Sequence, residues 1–260
     1  MNEHDPHPLY EMNPLGRFSD RAEDYRRHRP DYPAAAIDTM LRGLGAPARL
    51  RAADVGAGTG ISARLLADRG VFVFAIEPNA AMRAAAEPHA RVEWREGSAE
   101  ATGLEAASVR LVLCAQSFHW FRPERALPEF HRILAADGRL ALVWNVREAE
   151  DPVTSEYTRI IREVSHDHPA EVRAFDSQAL PESRWFSPAR IESVPHSQSL
   201  DLEGLIGRAT SSSYVPRDPA SLQRLREQLG AVWSRHRDAG GRVSLRYRTD
   251  LFLADPSPRR

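Results

Sequence analysis

Hydrophobic and polar positions change their period several times along this chain. Pro33 to Arg42 carries apolar residues at helical spacing after the stretch Arg29-Pro30-Asp31-Tyr32. Pro33 suits a first helical turn, and Gly43 and Gly45 are stop signals. Short apolar runs then alternate with amphipathic stretches. Strands are expected over Leu50 to Val55, Val71 to Ile76, Val92 to Arg95, Val109 to Ala115 and Leu140 to Trp144. Helices are expected over Ile61 to Arg69, Ala80 to Glu87 and Pro123 to Leu134, with Gly138 ending the last. Near-continuous apolar strands separated by helices mark a parallel sheet covered on both faces, with right-handed crossovers. Residues 45–146 therefore read as a doubly wound α/β unit.

The last third is less regular. Helices are expected over Val153 to Val164, Leu202 to Ala209 and Ala220 to Arg237. A strand is expected over Ala189 to Pro195, and a longer one over Val243 to Leu253 after the Gly240-Gly241 turn. The two late strands can pair as an antiparallel edge of the same sheet, with the helices between them as a cap. Residues 1–16 read as a mobile arm, 17–146 as the core with N-terminal lid helices, and 147–260 as cap helices plus the last two strands.

Composition narrows the function. The 260 residues are 42% hydrophobic, enough for a large core. No apolar run reaches the ~18 residues of a membrane span, and Met1 to Tyr10 lacks the apolar stretch of a secretory signal. A cytoplasmic protein, monomer or homodimer, without membrane contact is the expectation. A net charge of −1 gives no basic footprint for nucleic acid. Cys114 is the single cysteine, so disulfides and cysteine metal clusters are excluded; within its apolar run a buried thiol is expected rather than a nucleophile. All 35 Lys and Arg residues are arginine, which excludes lysine-based catalysis.

The informative chemistry begins at Asp54-Val55-Gly56-Ala57-Gly58-Thr59-Gly60, between a strand and a helix. Glycines there permit a tight turn and close approach of backbone to a ligand. The helix N-terminus offers free N–H groups, at the carboxyl edge where open α/β sheets bind ligands. The dinucleotide fingerprint would need glycine at position 61, which is Ile61. Asp54 would crowd a pyrophosphate but can serve a cationic group. Glu77 ends the second strand, where a carboxylate can accept both hydroxyls of a ribose. The two features together specify an adenosine without a diphosphate.

This pattern resembles the class I S-adenosylmethionine-dependent methyltransferases over residues 17–146. Gly56, Ala57, Gly58 and Gly60 resemble their first motif and Glu77, with Pro78 and Asn79, their ribose acid. Gly97-Ser98-Ala99-Glu100 resembles the turn lining the adenine, with Ser98 where the family usually has Asp. Gln116-Ser117-Phe118-His119-Trp120-Phe121 resembles the segment after the fourth strand. The stretches Phe18 to Tyr25 and Arg29 to Pro33 are similar to a small-molecule subgroup that includes trans-aconitate methyltransferases. The resemblance implies a Rossmann-like, mainly parallel seven-stranded sheet with a reversed last strand. It also implies S-adenosylmethionine, with S-adenosylhomocysteine as product. No metal is expected.

On these grounds the cofactor residues are expected to be Tyr25, Arg29, Asp54, Gly56, Ala57, Gly58, Gly60, Glu77, Pro78, Asn79, Ser98, Ala99, Gln116 and Ser117. Tyr32, His119, Trp120 and Tyr214 are substrate candidates. His119 either deprotonates an acceptor or packs; Trp120 and Phe121 either line the pocket or are core aromatics. His166 and His168 read as a solvated helix end. The expected acceptor is a small organic molecule, with O-methylation of a carboxylic acid favoured. A phenol or amine acceptor, an NAD(P)-dependent oxidoreductase, and a non-catalytic cofactor-binding protein remain as alternatives.

Overall fold

A computed structural model of the chain describes Leu9, residues 22–168, Leu180 and residues 183–259, with the side chains of Asp24 and Tyr25 outside the description. The expected arm, residues 1–16, lies almost wholly outside the described residues. Two helices come first, α1 (Ala22–His28) and α2 (Ala34–Leu41). Strand and helix then alternate through β1 (Arg51–Val55), α3 (Ile61–Asp68), β2 (Phe72–Ile76), α4 (Ala80–Ala84), β3 (Val92–Arg95) and β4 (Val109–Ala115). After a 3-10 turn at Phe118–Trp120 come α5 (Pro123–Ile133) and β5 (Leu134–Arg147). The final segment holds α6 (Pro152–Ser165), β6 (Arg190–Leu200), α7 (Leu202–Thr210), α8 (Pro219–His236) and β7 (Val243–Ala254).

The seven strands form one sheet in the order β3-β2-β1-β4-β5-β7-β6. The first five run parallel, and β7 lies antiparallel to both β5 and β6. The sheet is therefore mixed, with one reversed strand. Successive side chains of the central strands alternate between two cores, as the pleat requires. Ala52, Val73, Leu111 and Val143 join α2 and α3 on one face. Ala53, Phe74, Val112 and Leu142 join α5 on the other. Because both faces are covered, these strands read as unbroken apolar runs. A third cluster joins α6, α7 and α8 to Val243, Leu245 and Tyr247 of β7.

Four boundaries differ from the sequence reading. Pro33 is the N-cap of α2 rather than part of its first turn. α4 stops at Ala84 instead of Glu87, because Pro88 pushes the residue before it out of the helical region. α5 stops at Ile133, so Gly138 does not end a helix but lies inside β5. A Cβ on Gly138 would meet the Arg110 carbonyl oxygen at 2.9 Å, so the glycine there permits close strand approach. β6 runs through Pro195 to Leu200; as the outermost strand it tolerates a residue without an N–H. The three late helices follow aspartates that cap them: Asp151 accepts from the Thr154 amide, Asp201 from Gly204 and Asp218 from Ser221.

Candidate functional site

The carboxyl ends of β1, β2 and β4 open into a cavity of about 390 Å³, within the range of small-molecule sites. Its floor is the glycine loop. Gly56 and Gly58 adopt φ of +68° and +60°, a region where only glycine is relaxed. A Cβ on Gly56 would stand 2.7 Å from Ser117 Cβ and 2.9 Å from Phe121 Cζ. Gly60 (φ +79°) opens α3 and lines neither space; a Cβ there would meet Trp94 Cζ2 at 2.7 Å.

Glu77 forms one wall. Its Oε2 accepts from the Gly58 amide and its Oε1 from the Asn79 amide, both at 2.9 Å. Burial raises the pKa of this carboxyl, and the two amides oppose that shift. Asn79 caps α4 through Oδ1, accepting from the Ala81 and Met82 amides. Pro78, Asn79, Ser98, Ala99, Gln116, Ser117 and Trp120 all line the same cavity. Ser117 donates to the Val55 carbonyl at 2.8 Å and so ties the end of β4 to the end of β1. Gln116 sits at φ +56°, uncommon for a non-glycine residue, and donates its side-chain amide to the Asn145 carbonyl.

A second space of about 30 Å³ adjoins the first through Gly56, Ala115 and Gln116. That is room for a water molecule. Arg29, Tyr32, Ala57 and Asn145 line it. Asn145 donates to the Asp31 carbonyl and accepts from the Thr249 hydroxyl at 2.6 Å, which joins β5, β7 and the segment after α1. The two groups of expected residues thus meet at one place, from separate parts of the chain.

Not every expected residue lines these spaces. Asp54 is fully buried beneath the loop and lines neither space. Its Oδ2 accepts from Ser62 at 2.6 Å, and its Oδ1 has no partner. Burial pushes its pKa up to about 7, with the nearby Glu77 charge adding to the rise. His119, read as either a base or a packing residue, lies on the 3-10 turn with its ring 4.8 Å from Trp120 and lines neither space. Crowding by the surrounding protein, then the Arg29 charge, push its pKa down to about 4. The ring is therefore neutral at neutral pH and a weaker proton acceptor than a free imidazole. Tyr214 lines neither space and stacks on His168, with ring centroids 5.8 Å apart, against the cluster of α6, α7 and α8. His168 thus makes an aromatic contact, while His166 is exposed at the C-terminal cap of α6, as a solvated helix end. The side chain of Tyr25 lies outside the described residues. Cys114 is buried, and burial and then Asp54 raise its pKa, which leaves an inert thiol.

Met82, Arg122, Arg125 and Asn145 also line these spaces and were not anticipated. Asn145 had a signal: it is a polar residue at the carboxyl end of a buried strand. Met82 had a weaker one, standing three residues after an N-cap asparagine.

A family model described as a methyltransferase domain matches residues 53–142, from β1 into β5. An uncharacterized methyltransferase of Mycobacterium tuberculosis is 36% identical over 221 residues, covering 82% of this chain and 85% of its own. An uncharacterized methyltransferase-like protein of Schizosaccharomyces pombe is 29% identical over 260 residues, 96% and 99% of the two chains. A solved structure from Anaeromyxobacter dehalogenans, described as a type II methyltransferase, shares the fold with a TM-score of 0.65 at 24% identity, over 87% of this chain and 96% of that one. These likenesses displace the oxidoreductase and the non-catalytic readings. The chain belongs to the S-adenosylmethionine-dependent methyltransferases.

Proposed function

We propose that the 390 Å³ cavity holds S-adenosylmethionine and that the chain methylates a small organic acceptor, with O-methylation of a carboxylic acid as the favoured reaction. The observation that carries this reading is the Glu77 carboxylate at the cavity wall, fixed by the Gly58 and Asn79 amides beside two glycines that leave the floor open. In this reading Glu77 takes the ribose hydroxyls, Ser98, Ala99 and Met82 flank the adenine, and Gly56 and Gly58 let the backbone approach. Arg29, Tyr32 and Asn145 border the end toward the acceptor. The helices α6, α7 and α8 serve as the cap over that end.

When bound, the cofactor supplies a methyl carbon on a positive sulfur: an acceptor oxygen forms the new C–O bond as the C–S bond breaks, and the sulfur leaves as a neutral thioether. A carboxylate acceptor has no proton to lose, so the chain's contribution is proximity, alignment and exclusion of water. Neutral His119 fits this division of labour, packed behind Trp120, which lines the cavity.

Calorimetric titration with S-adenosylhomocysteine tests the reading, with NADH as control. Micromolar binding of S-adenosylhomocysteine alone supports it and opens a screen of carboxylic acids, phenols and amines. No binding, or preference for NADH, refutes it.

A further inference from the structure

Arg208 of α7 is 5% exposed, buried in the cluster made by α6, α7, α8 and β7. A guanidinium has five N–H donors and no acceptor. Its hydrogen bonds are Nε to the Tyr247 hydroxyl and Nη1 to Ser212 Oγ, both long at 3.3 Å. Among the described residues no carboxylate forms an ion pair with it. Burying a charge without a counter-charge is expensive.

Its neighbours add donors rather than charge balance. The Tyr157 hydroxyl is fully buried and has no hydrogen-bond partner. Burial pushes its pKa up, so it stays an O–H donor. Tyr247 accepts from Arg208 and so keeps its own proton to give. Arg147 lies over the Tyr157 ring, with Cζ 5.6 Å from the centroid, and adds positive charge. Arginine and phenol O–H groups gathered in one dry cluster match the planar oxygens of a carboxylate or the oxygens of a phosphate.

The cluster borders the proposed active site. Tyr247 and Thr249 point to the same face of β7. They are two residues apart, roughly 7 Å along the strand. Thr249 is bonded to Asn145, which lines the space next to the cofactor cavity. On the neighbouring strand Arg147 pairs with Tyr247 as Asn145 pairs with Thr249. On the far side, His28 packs against Gly207, so α1 carries Arg29 from this cluster to the small space.

We infer that Arg208, Tyr157 and Tyr247 hold an anionic group of the methyl acceptor, a carboxylate or phosphate distinct from the atom that receives the methyl. The inference rests on the methyltransferase reading above. A guanidinium bound to the attacking oxygen would draw electron density from it, so the anion held by Arg208 is a non-reacting one. Dicarboxylic acids and phosphate-bearing alcohols are the matching acceptor classes. Their neutral analogues lack the required group.

The test uses the full chain saturated with S-adenosylhomocysteine, titrated calorimetrically with glutarate in one arm and inorganic phosphate in the other. Each is paired with a neutral counterpart, glutaramide or glycerol. One-to-one anion binding is expected, with no binding of the neutral compound. The preferred arm identifies the anion. Arg208→Gln is expected to weaken anion binding at least tenfold. Tyr157→Phe, which removes a hydroxyl that bonds nothing in the free protein and so spares the fold, is expected to weaken it several-fold. Unchanged affinity for S-adenosylhomocysteine in both variants shows that the fold and the cofactor site are intact. Absence of binding by either anion up to 50-fold above ~1 mM, or equal binding by Tyr157→Phe and wild type, overturns the inference. Loss of S-adenosylhomocysteine binding by the wild type overturns the methyltransferase reading instead, so the two failures are distinguishable.

Discussion

The Gly58 amide donates to Glu77 Oε2 at 2.9 Å, so the loop after β1 and the end of β2 are locked together through one carboxylate. Both Glu77 oxygens are occupied by backbone N–H groups. Glu77→Gln turns one acceptor into a donor facing a donor, which costs about 1–3 kcal/mol. Affinity for S-adenosylhomocysteine is expected to fall roughly 10- to 100-fold by calorimetry. Wild-type affinity in this variant would separate Glu77 from the cofactor.

Gly56 and Gly43 share a left-handed backbone, but a Cβ on Gly43 would meet nothing within 4 Å. Alanine at either site incurs the conformational cost of about 1–2 kcal/mol. At Gly56 it also strikes Ser117 and Phe121, adding overpacking of about 1–3 kcal/mol. Gly56→Ala is therefore expected to melt several degrees below Gly43→Ala and to lose cofactor binding that Gly43→Ala retains. Equal melting temperatures would show that the loop yields to the clash.

Asp54 makes stability depend on pH. Its folded pKa of about 7 lies above the ordinary 3.8, so the folded state binds the proton more tightly. The stabilisation is fully present below pH 3.8 and is lost as pH rises through 7, an effect of about 4 kcal/mol. Asp54→Asn keeps an oxygen for Ser62 and removes the titration. Denaturant unfolding between pH 4 and 8 is expected to give a flatter profile for the variant and greater stability than wild type at pH 8. Parallel profiles would show that Asp54 titrates normally.

His119 is expected to be dispensable as a proton acceptor. With its pKa near 4, the rate should show no inflection between pH 5.5 and 8 that His119→Asn removes, and the variant should keep turnover within tenfold. A loss of 100-fold or more, together with a vanished inflection, would make it the base.

Legibility followed burial. β4 ended where its apolar run ended, and the cores on both faces of the sheet explain why that run is nearly continuous. β6 was legible only at its start. Its later residues, Pro195 to Ser199, are polar or small, and pairing with β7 sets their conformation. The start of β5 was hidden by Asp137-Gly138-Arg139, which read as a turn until Gly138 is seen against the Arg110 carbonyl. In the site, the glycine loop and Glu77 were readable because their spacing is local. Arg122 and Arg125 reach the cavity through a crossover, and Asn145 through a strand much farther along. Tyr214 was placed in the cap from its region alone, and the stacking of its ring on His168 could not be read from the sequence. Arg208 gave no signal at all: an arginine in an amphipathic helix reads as surface until its surroundings are known.

The position of β7 sets an order of assembly. β6 pairs only with β7 among the described strands, and β7 is made after it. On the ribosome, β1 to β5 can join into a parallel sheet while the eleven residues of β6 still have no neighbour. The reversed strand, made last, completes both ladders, to β5 and to β6. Arg147, Tyr247 and His196 come into one row only at that moment, so the half of the molecule assigned to the acceptor is completed last, on a scaffold already able to form the glycine loop.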